Sequence, residues 1–335
     1  MSDDQLGGED HNVPQGTGGM DENIQVSNTG QRIRAIVGVI IVLVGAGIGI
    51  YFWMGSQKEL EKHKNVLAAF TAAHTKDYFG FWTKAQIVSA NLDNSAEIES
   101  QLLKIIRKTP VGYGKLLKNQ ALPIFDEGMA DFQAIQAPPA YADKLKAVVE
   151  AYRSLGDAVK SVSDELIMLD SYLESEVKLN RLNNAWFNAQ TWDDPQYHPE
   201  AFRYYKLLRC LLNDRKLGDM APLDIAAAVT KRCADENDKA GLFRLVAFGC
   251  YPALLSAAAE PDQEFKDTLA AYYKIFKGKS EDKVDGTSKD ALVECMKTSR
   301  VEFENDLVGK LKKGWEDYSK ARKEFLDANN AAIGK

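Results

Sequence analysis

Residues 35–54, AIVGVIIVLVGAGIGIYFWM, form a run of twenty side chains without a charge. A helix rises about 1.5 Å per residue, so this run measures about 30 Å, the thickness of bilayer hydrocarbon. Arg32 and Arg34 precede it, and Tyr51, Phe52 and Trp53 close it. Aromatic rings of that kind favour the headgroup layer. The pattern predicts a transmembrane helix at 33–55. A cleavable signal peptide would have a shorter apolar part and end in small residues. Here the run ends in bulky aromatics, so an uncleaved signal anchor is expected. Gly38, Gly45 and Gly49 lie along it, the last two as GxxxG. Small residues at that spacing let helix backbones approach in lipid, which makes these three a candidate helix-dimer face for a homodimer.

Beyond the run the apolar period is helical. Asn94 and Glu97 resemble a capping box opening a helix that ends at Thr109-Pro110. A second helix is expected over 113–136, with Pro123 as a kink. After Pro138-Pro139, the residues Leu145, Val149, Tyr152, Leu155, Val159, Val162, Leu166, Leu169 and Leu173 step by three or four. That near-heptad stripe predicts one helix of about 50 residues, either spanning a bundle or forming a coiled coil. The segment TWDDPQYHP at 191–199 breaks it. Shorter helices follow over 200–213, 223–234, 239–259 and 262–277. A charged loop is expected over 278–288, then a long helix over 290–329. No stretch after residue 60 alternates with period two, and only 13 glycines follow Gly55. The fold class expected is all-α: one N-terminal transmembrane helix followed by a helical-bundle ectodomain with long helices. Four parts are delimited: a disordered tail at 1–32, the span at 33–55, a first bundle segment at 56–191, and a second at 198–335 that holds every cysteine.

Charge refines this picture. The first 34 residues carry six acids and two bases and are rich in glycine, too polar to bury a core. The remainder is close to neutral within a whole-chain net charge of −6. No basic excess exists, so no nucleic-acid partner is expected. Bases flank the run almost evenly: Arg32 and Arg34 before it, Lys58, Lys62 and Lys64 after it. The positive-inside rule therefore barely discriminates between orientations.

Cys210, Cys233, Cys250 and Cys295 make an even set. Their separations fit no zinc pattern, and two disulfides in an oxidising compartment are the expected use, with three connectivities open. The competing reading is four thiols packed as small hydrophobes. Disulfides favour a cytoplasmic N-terminus and an extracytoplasmic C-terminal domain at the cell inner membrane; the alternative is a cytoplasmic C-terminal domain.

Candidate chemistry is sparse. There is no GxSxG, no GxxxxGK[ST] and no HExxH. Of the histidines His11, His63, His74 and His198, none has a ligand at metal spacing, and His74 beside Phe70 and Phe79 reads as a half-buried surface side chain. Asp193, Asp194, Asp219 and Asp235 lack the calcium-loop spacing. No catalytic, cofactor or metal site is expected. Aromatics do crowd one junction: Trp186, Phe187, Trp192, Tyr197, Phe202, Tyr204 and Tyr205. Core packing explains them, and a partner or ligand pocket is the sharper alternative. The functional expectation is a non-enzymatic structural or interaction component of a cell-envelope assembly, with the membrane and other envelope proteins as partners. A ligand- or peptide-binding module acting through a membrane partner is the alternative, and a membrane-anchored enzyme the third.

Overall fold

The computed structural model describes residues 28–334 except 88–94, 189–197, 213–216, 218–219, 221, 253–261 and 277–289, with side chains described from Val42 onward except also at 95, 171, 174–178, 187–188, 198, 222–223 and 271–276. Of the disordered tail expected at 1–32, residues 1–27 fall outside the described residues and 28–32 are instead helical, as the start of a long helix. The loop at 278–288, and Asn94, Asp193, Asp194 and Asp219 fall outside the described residues.

Every described element is helical. In chain order they are α1 (Asn28–Ala73), a π-turn π1 (His74–Tyr78), α2 (Phe79–Lys84), α3 (Ser95–Lys108), α4 (Pro110–Leu116), π2 (Leu117–Ala121) and α5 (Leu122–Ala134). Then come α6 (Ala142–Asn188), α7 (His198–Leu211), α8 (Pro222–Asp235), α9 (Lys239–Arg244), π3 (Leu245–Cys250), α10 (Gln263–Phe276) and α11 (Ala291–Ile333). The chain divides into two units, Met1–Glu59 and Leu60–Lys335.

In the first unit the side chains from Val42 to Glu59 are exposed. Among the described residues no helix is long and apolar enough to cross a membrane. Of the run at 35–54, only 42–54 is described at the level of side chains.

The second unit is a helical bundle built on α6 and α11, which pack along each other. The 47 residues of α6 bury Leu145, Val148, Tyr152, Leu155, Val159, Val162, Leu166, Leu169 and Tyr172. Two positions differ from the expected stripe. Val148 is buried where Val149 was expected, and Tyr172 where Leu173 was, while Val149 and Leu173 pack at the margin. A straight helix drifts against a strict seven-residue repeat. The neighbours of α6 also change, because α5 covers it near Tyr152 and Gly156 and α4 near Ser163 and Leu166, whereas Tyr172 meets Phe243 of α9 and Tyr251 just after π3. The helix α6 therefore serves the segments on both sides of the break at 191–199.

Helix ends follow local chemistry. Pro110 opens α4 at a position where its missing N–H costs nothing. The expected kink at Pro123 takes the form of π2, immediately upstream. A proline ring clashes with the carbonyl four residues earlier, and a widened turn accommodates it. Asp238 caps α9, accepting from the Gly241 N–H at 2.7 Å. Gly114 lets α4 lie directly on α6: a Cβ there would sit 2.8 Å from Leu166 Cβ, and Ser163 Oγ donates to the Gly114 carbonyl at 2.9 Å.

Two disulfides tie the later helices together. Cys210–Cys250 joins α7 to π3, and Cys233–Cys295 joins α8 to α11. No cysteine is free. Cys295, placed among charges by its sequence neighbours, is buried in the core.

Candidate functional site

The densest collection of perturbed titratable groups lies where α1 ends. The sequence HTKDY at 74–78 widens into π1. Single π-turns inside helices occur often at functional positions. Here the turn places His74, Asp77 and Tyr78 inward together. Tyr318 and Arg322 come from α11, Tyr152 from α6, and Gly128 and Asp131 from α5.

His74 is 8% exposed and is bonded through both ring nitrogens. Its Nδ1 lies 2.8 Å from the Tyr318 hydroxyl, and its Nε2 lies 2.7 Å from Arg322 Nη1. A guanidinium can only donate. Nε2 is therefore the acceptor, Nδ1 carries the proton, and the neutral ring donates to Tyr318. Burial, reinforced by the Arg322 charge, lowers the His74 pKa from 6.5 to about 4. The ring stacks on Tyr78 at 4.8 Å and lies near Tyr318 at 5.9 Å.

Asp77 is 1% exposed at its side chain. Burial raises its pKa, Asp131 adds to the rise, and Lys76 at 3.7 Å opposes it. Asp131 moves the other way, because the Lys76 ammonium bonds it at 2.9 Å. The two carboxyls are thus driven apart, with Asp77 the one that keeps a proton more readily. Gly128 makes room for them: a Cβ would lie 2.5 Å from Asp77 Cβ and 2.6 Å from the Tyr152 hydroxyl. Burial raises the Tyr152 and Tyr318 phenols as well, so both remain protonated donors.

Aromatic rings seal the cluster. Phe70 stacks over His74 and contacts Phe132 and Phe325. Phe125 stacks on Tyr152 at 4.0 Å. The outer side of Phe125 lines a surface groove of about 480 Å³ between α5 and α6, with Leu122, Pro123 and Met129 in its floor and Arg153, Asp157 and Lys160 on its rim. The buried cluster can hold and exchange protons and can bond helices together.

A second contact repeats this arrangement three turns earlier on α1. His63 Nδ1 lies 2.8 Å from the Tyr141 hydroxyl, and Asn329 Nδ2 donates to that hydroxyl at 2.8 Å and to the His63 carbonyl at 3.2 Å. His63 faces Asn329 as His74 faces Tyr318, which is the register of two antiparallel helices.

The aromatics singled out in the sequence lie elsewhere. Trp186, Phe202 and Tyr205 are buried and pack with Phe265 of α10, and Tyr204 is buried beside Trp186. Lys206 bonds Asp262 at their edge. Trp192 and Tyr197 and the side chain of Phe187 lie outside the described residues. Gly45 and Gly49 face open space on α1, and the surroundings of Gly38 lie outside the described residues. The four cysteines pair as 210–250 and 233–295, which settles the open connectivity.

The sequence reading missed the π1 cluster and placed His74 half at the surface. The available signal was His74 and Asp77 three apart inside an aromatic run. Tyr152, Tyr318 and Arg322 join them only through tertiary packing. Among the described residues no group of His, Cys, Asp and Glu could hold a metal ion. No protein-family model, no curated protein and no solved structure matches this chain.

Proposed function

We propose that the protein is a single-pass, membrane-anchored helical protein serving as a structural or interaction component of a cell-envelope assembly. Its N-terminus is cytoplasmic, and its disulfide-bonded bundle stands outside the inner membrane. The observation that carries this reading is the state of the apolar run. From Val42 to Met54 the large side chains are all exposed, from 46% at Met54 to 73% at Tyr51. They lie all round the helix rather than on one stripe. An apolar surface of that extent in water marks a membrane or a partner, and the twenty-residue length of the uncharged run favours lipid.

The cysteines support the compartment proposed. Two disulfides that use every cysteine belong to an oxidising environment. The role follows from shape and chemistry. At about 1.5 Å per residue, α6 is a rod of about 70 Å, and the perturbed groups at π1 are sealed under aromatic rings. A rod of this kind suits holding partners at a distance, with Gly38, Gly45 and Gly49 available for self-association in the lipid. A second reading, capture of a ligand or peptide, draws on the α5–α6 groove and its exposed pair of cations, Arg153 and Lys160.

Protease treatment of spheroplasts tests the arrangement. The expected result is loss of the full-length chain and survival of a short membrane-held N-terminal fragment. A chain that resists protease until the membrane is dissolved would place the bundle in the cytoplasm and overturn the orientation.

A further inference from the structure

The end of α1 is held to the bundle by few apolar contacts. Between residues 60 and 73 only Val66, Phe70 and Ala73 are buried hydrophobics. Polar contacts add to these, and two clasps run through a histidine: His63 to Tyr141 and Asn329, and His74 to Tyr318 and Arg322. From the last residue of π1 onward the packing changes character, because Tyr78, Phe81 and Trp82 are each at most 2% exposed. The π-turn is therefore the joint between a lightly held helix end and a firmly held one.

We propose that the His74–Tyr318–Arg322 contact is an acid-released latch, which fastens the last turns of α1 to α11 near neutral pH and lets them go when His74 gains a second proton. The neutral ring satisfies both neighbours, accepting from Arg322 and donating to Tyr318. A protonated ring has N–H groups on both sides and no acceptor opposite Arg322. Its Nε2–H would point at a guanidinium 2.7 Å away, a contact of two donors and two positive charges.

The other charged and titratable groups around the ring set the size of the response. On π1 itself these are Asp77, Tyr78 and, farther out, Lys76. From α6 comes Tyr152, from α5 Asp131, and from α11 Tyr318 and Arg322. Burial keeps the Tyr152 and Tyr318 phenols protonated across this range. Among the described residues Asp77 is the carboxylate on π1 that could balance an imidazolium, and burial favours its protonated form, which weakens it in that role. Asp131 is committed to Lys76. Among the described residues, neither carboxyl of the cluster is then well placed to hold a charged ring.

The latch lies wholly within Leu60–Lys335 and does not depend on the membrane reading. Its test is hydrogen exchange on the full chain in mild detergent, corrected for the intrinsic pH dependence of exchange. On moving from neutral pH to about pH 5, protection of residues 60–73 should fall on the order of tenfold, because the released ring titrates near its ordinary pKa. Residues 200–211 of α7 should keep theirs. In His74→Gln the fall should vanish, whether or not the variant starts more open. In Arg322→Gln the amide oxygen can accept from Nε2–H, so the charged ring is tolerated better in the closed latch and the fall should become smaller. A wild-type chain whose 60–73 segment shows no more acid sensitivity than α7 would overturn the proposal. So would an acid response that persists unchanged in both variants.

Discussion

Neutral His74 is worth most to the bundle where the unfolded chain is also neutral. Its pKa is lowered in the fold from 6.5 to about 4. A lowered histidine pKa means that the unfolded chain binds the proton more readily. The contribution is fully present above about pH 6.5 and is lost as pH falls toward 4. Two and a half pKa units at a side chain 8% exposed correspond to about 3 kcal/mol. Asp77 works against this, because a carboxyl whose pKa is raised becomes less unfavourable as it protonates in the same direction. Urea unfolding of wild type and His74→Gln at neutral pH and near pH 5 checks the sign. The stability advantage of wild type over the variant should shrink by about 1 to 3 kcal/mol on acidification. An advantage that grows in acid would contradict the neutral, bonded ring.

At the scale of elements, the covalent ties are the most quantifiable contributors. The bridges close loops of 40 and 62 residues. Loop-closure entropy assigns each about 4 kcal/mol. Breaking either pair singly, with Cys210→Ser/Cys250→Ser or Cys233→Ser/Cys295→Ser, should lower unfolding stability by about 2 to 4 kcal/mol in denaturant titrations. Reductant should narrow the difference between wild type and each variant. Stability unchanged by both double substitutions would mean that the bridges do not form.

The elements were also the part most legible in the sequence. Leu145, Leu155 and Leu166 announced α6 because a long helix flanked by other helices has to carry an apolar stripe. The shift to Tyr172 was not legible, since it depends on Phe243 and Tyr251, residues distant in sequence. The π-turn at HTKDY was hidden for a related reason: its residues satisfy an ordinary helical pattern, and only Tyr318 and Arg322 of α11 reveal what His74 is for. The aromatic crowding at 186–205 was legible as crowding. Its described members turned inward, Trp186, Phe202 and Tyr205 against Phe265, which the sequence order could not indicate.

The molecule as a whole sets a polar-faced bundle on the same chain as a helix that is apolar all round. Water suits the first and not the second. Each of Val42, Leu43, Val44, Ile48 and Ile50 is more than half exposed. In lipid that exposure is favourable, and the same side chains become the attachment. The account therefore turns on what solvates this run. The most direct measurement is alkaline carbonate extraction of membranes carrying the full chain, with the variant Val44→Asp/Ile48→Asp alongside. A charged side chain at mid-bilayer depth costs about 2.5 to 3.5 kcal/mol on insertion scales, so two should weaken anchoring markedly. The account predicts that the unaltered chain stays in the pellet, floats with lipid in a density gradient, and loses both behaviours in large part in the variant. An unaltered chain that leaves the membrane in carbonate and remains monodisperse without detergent would contradict it.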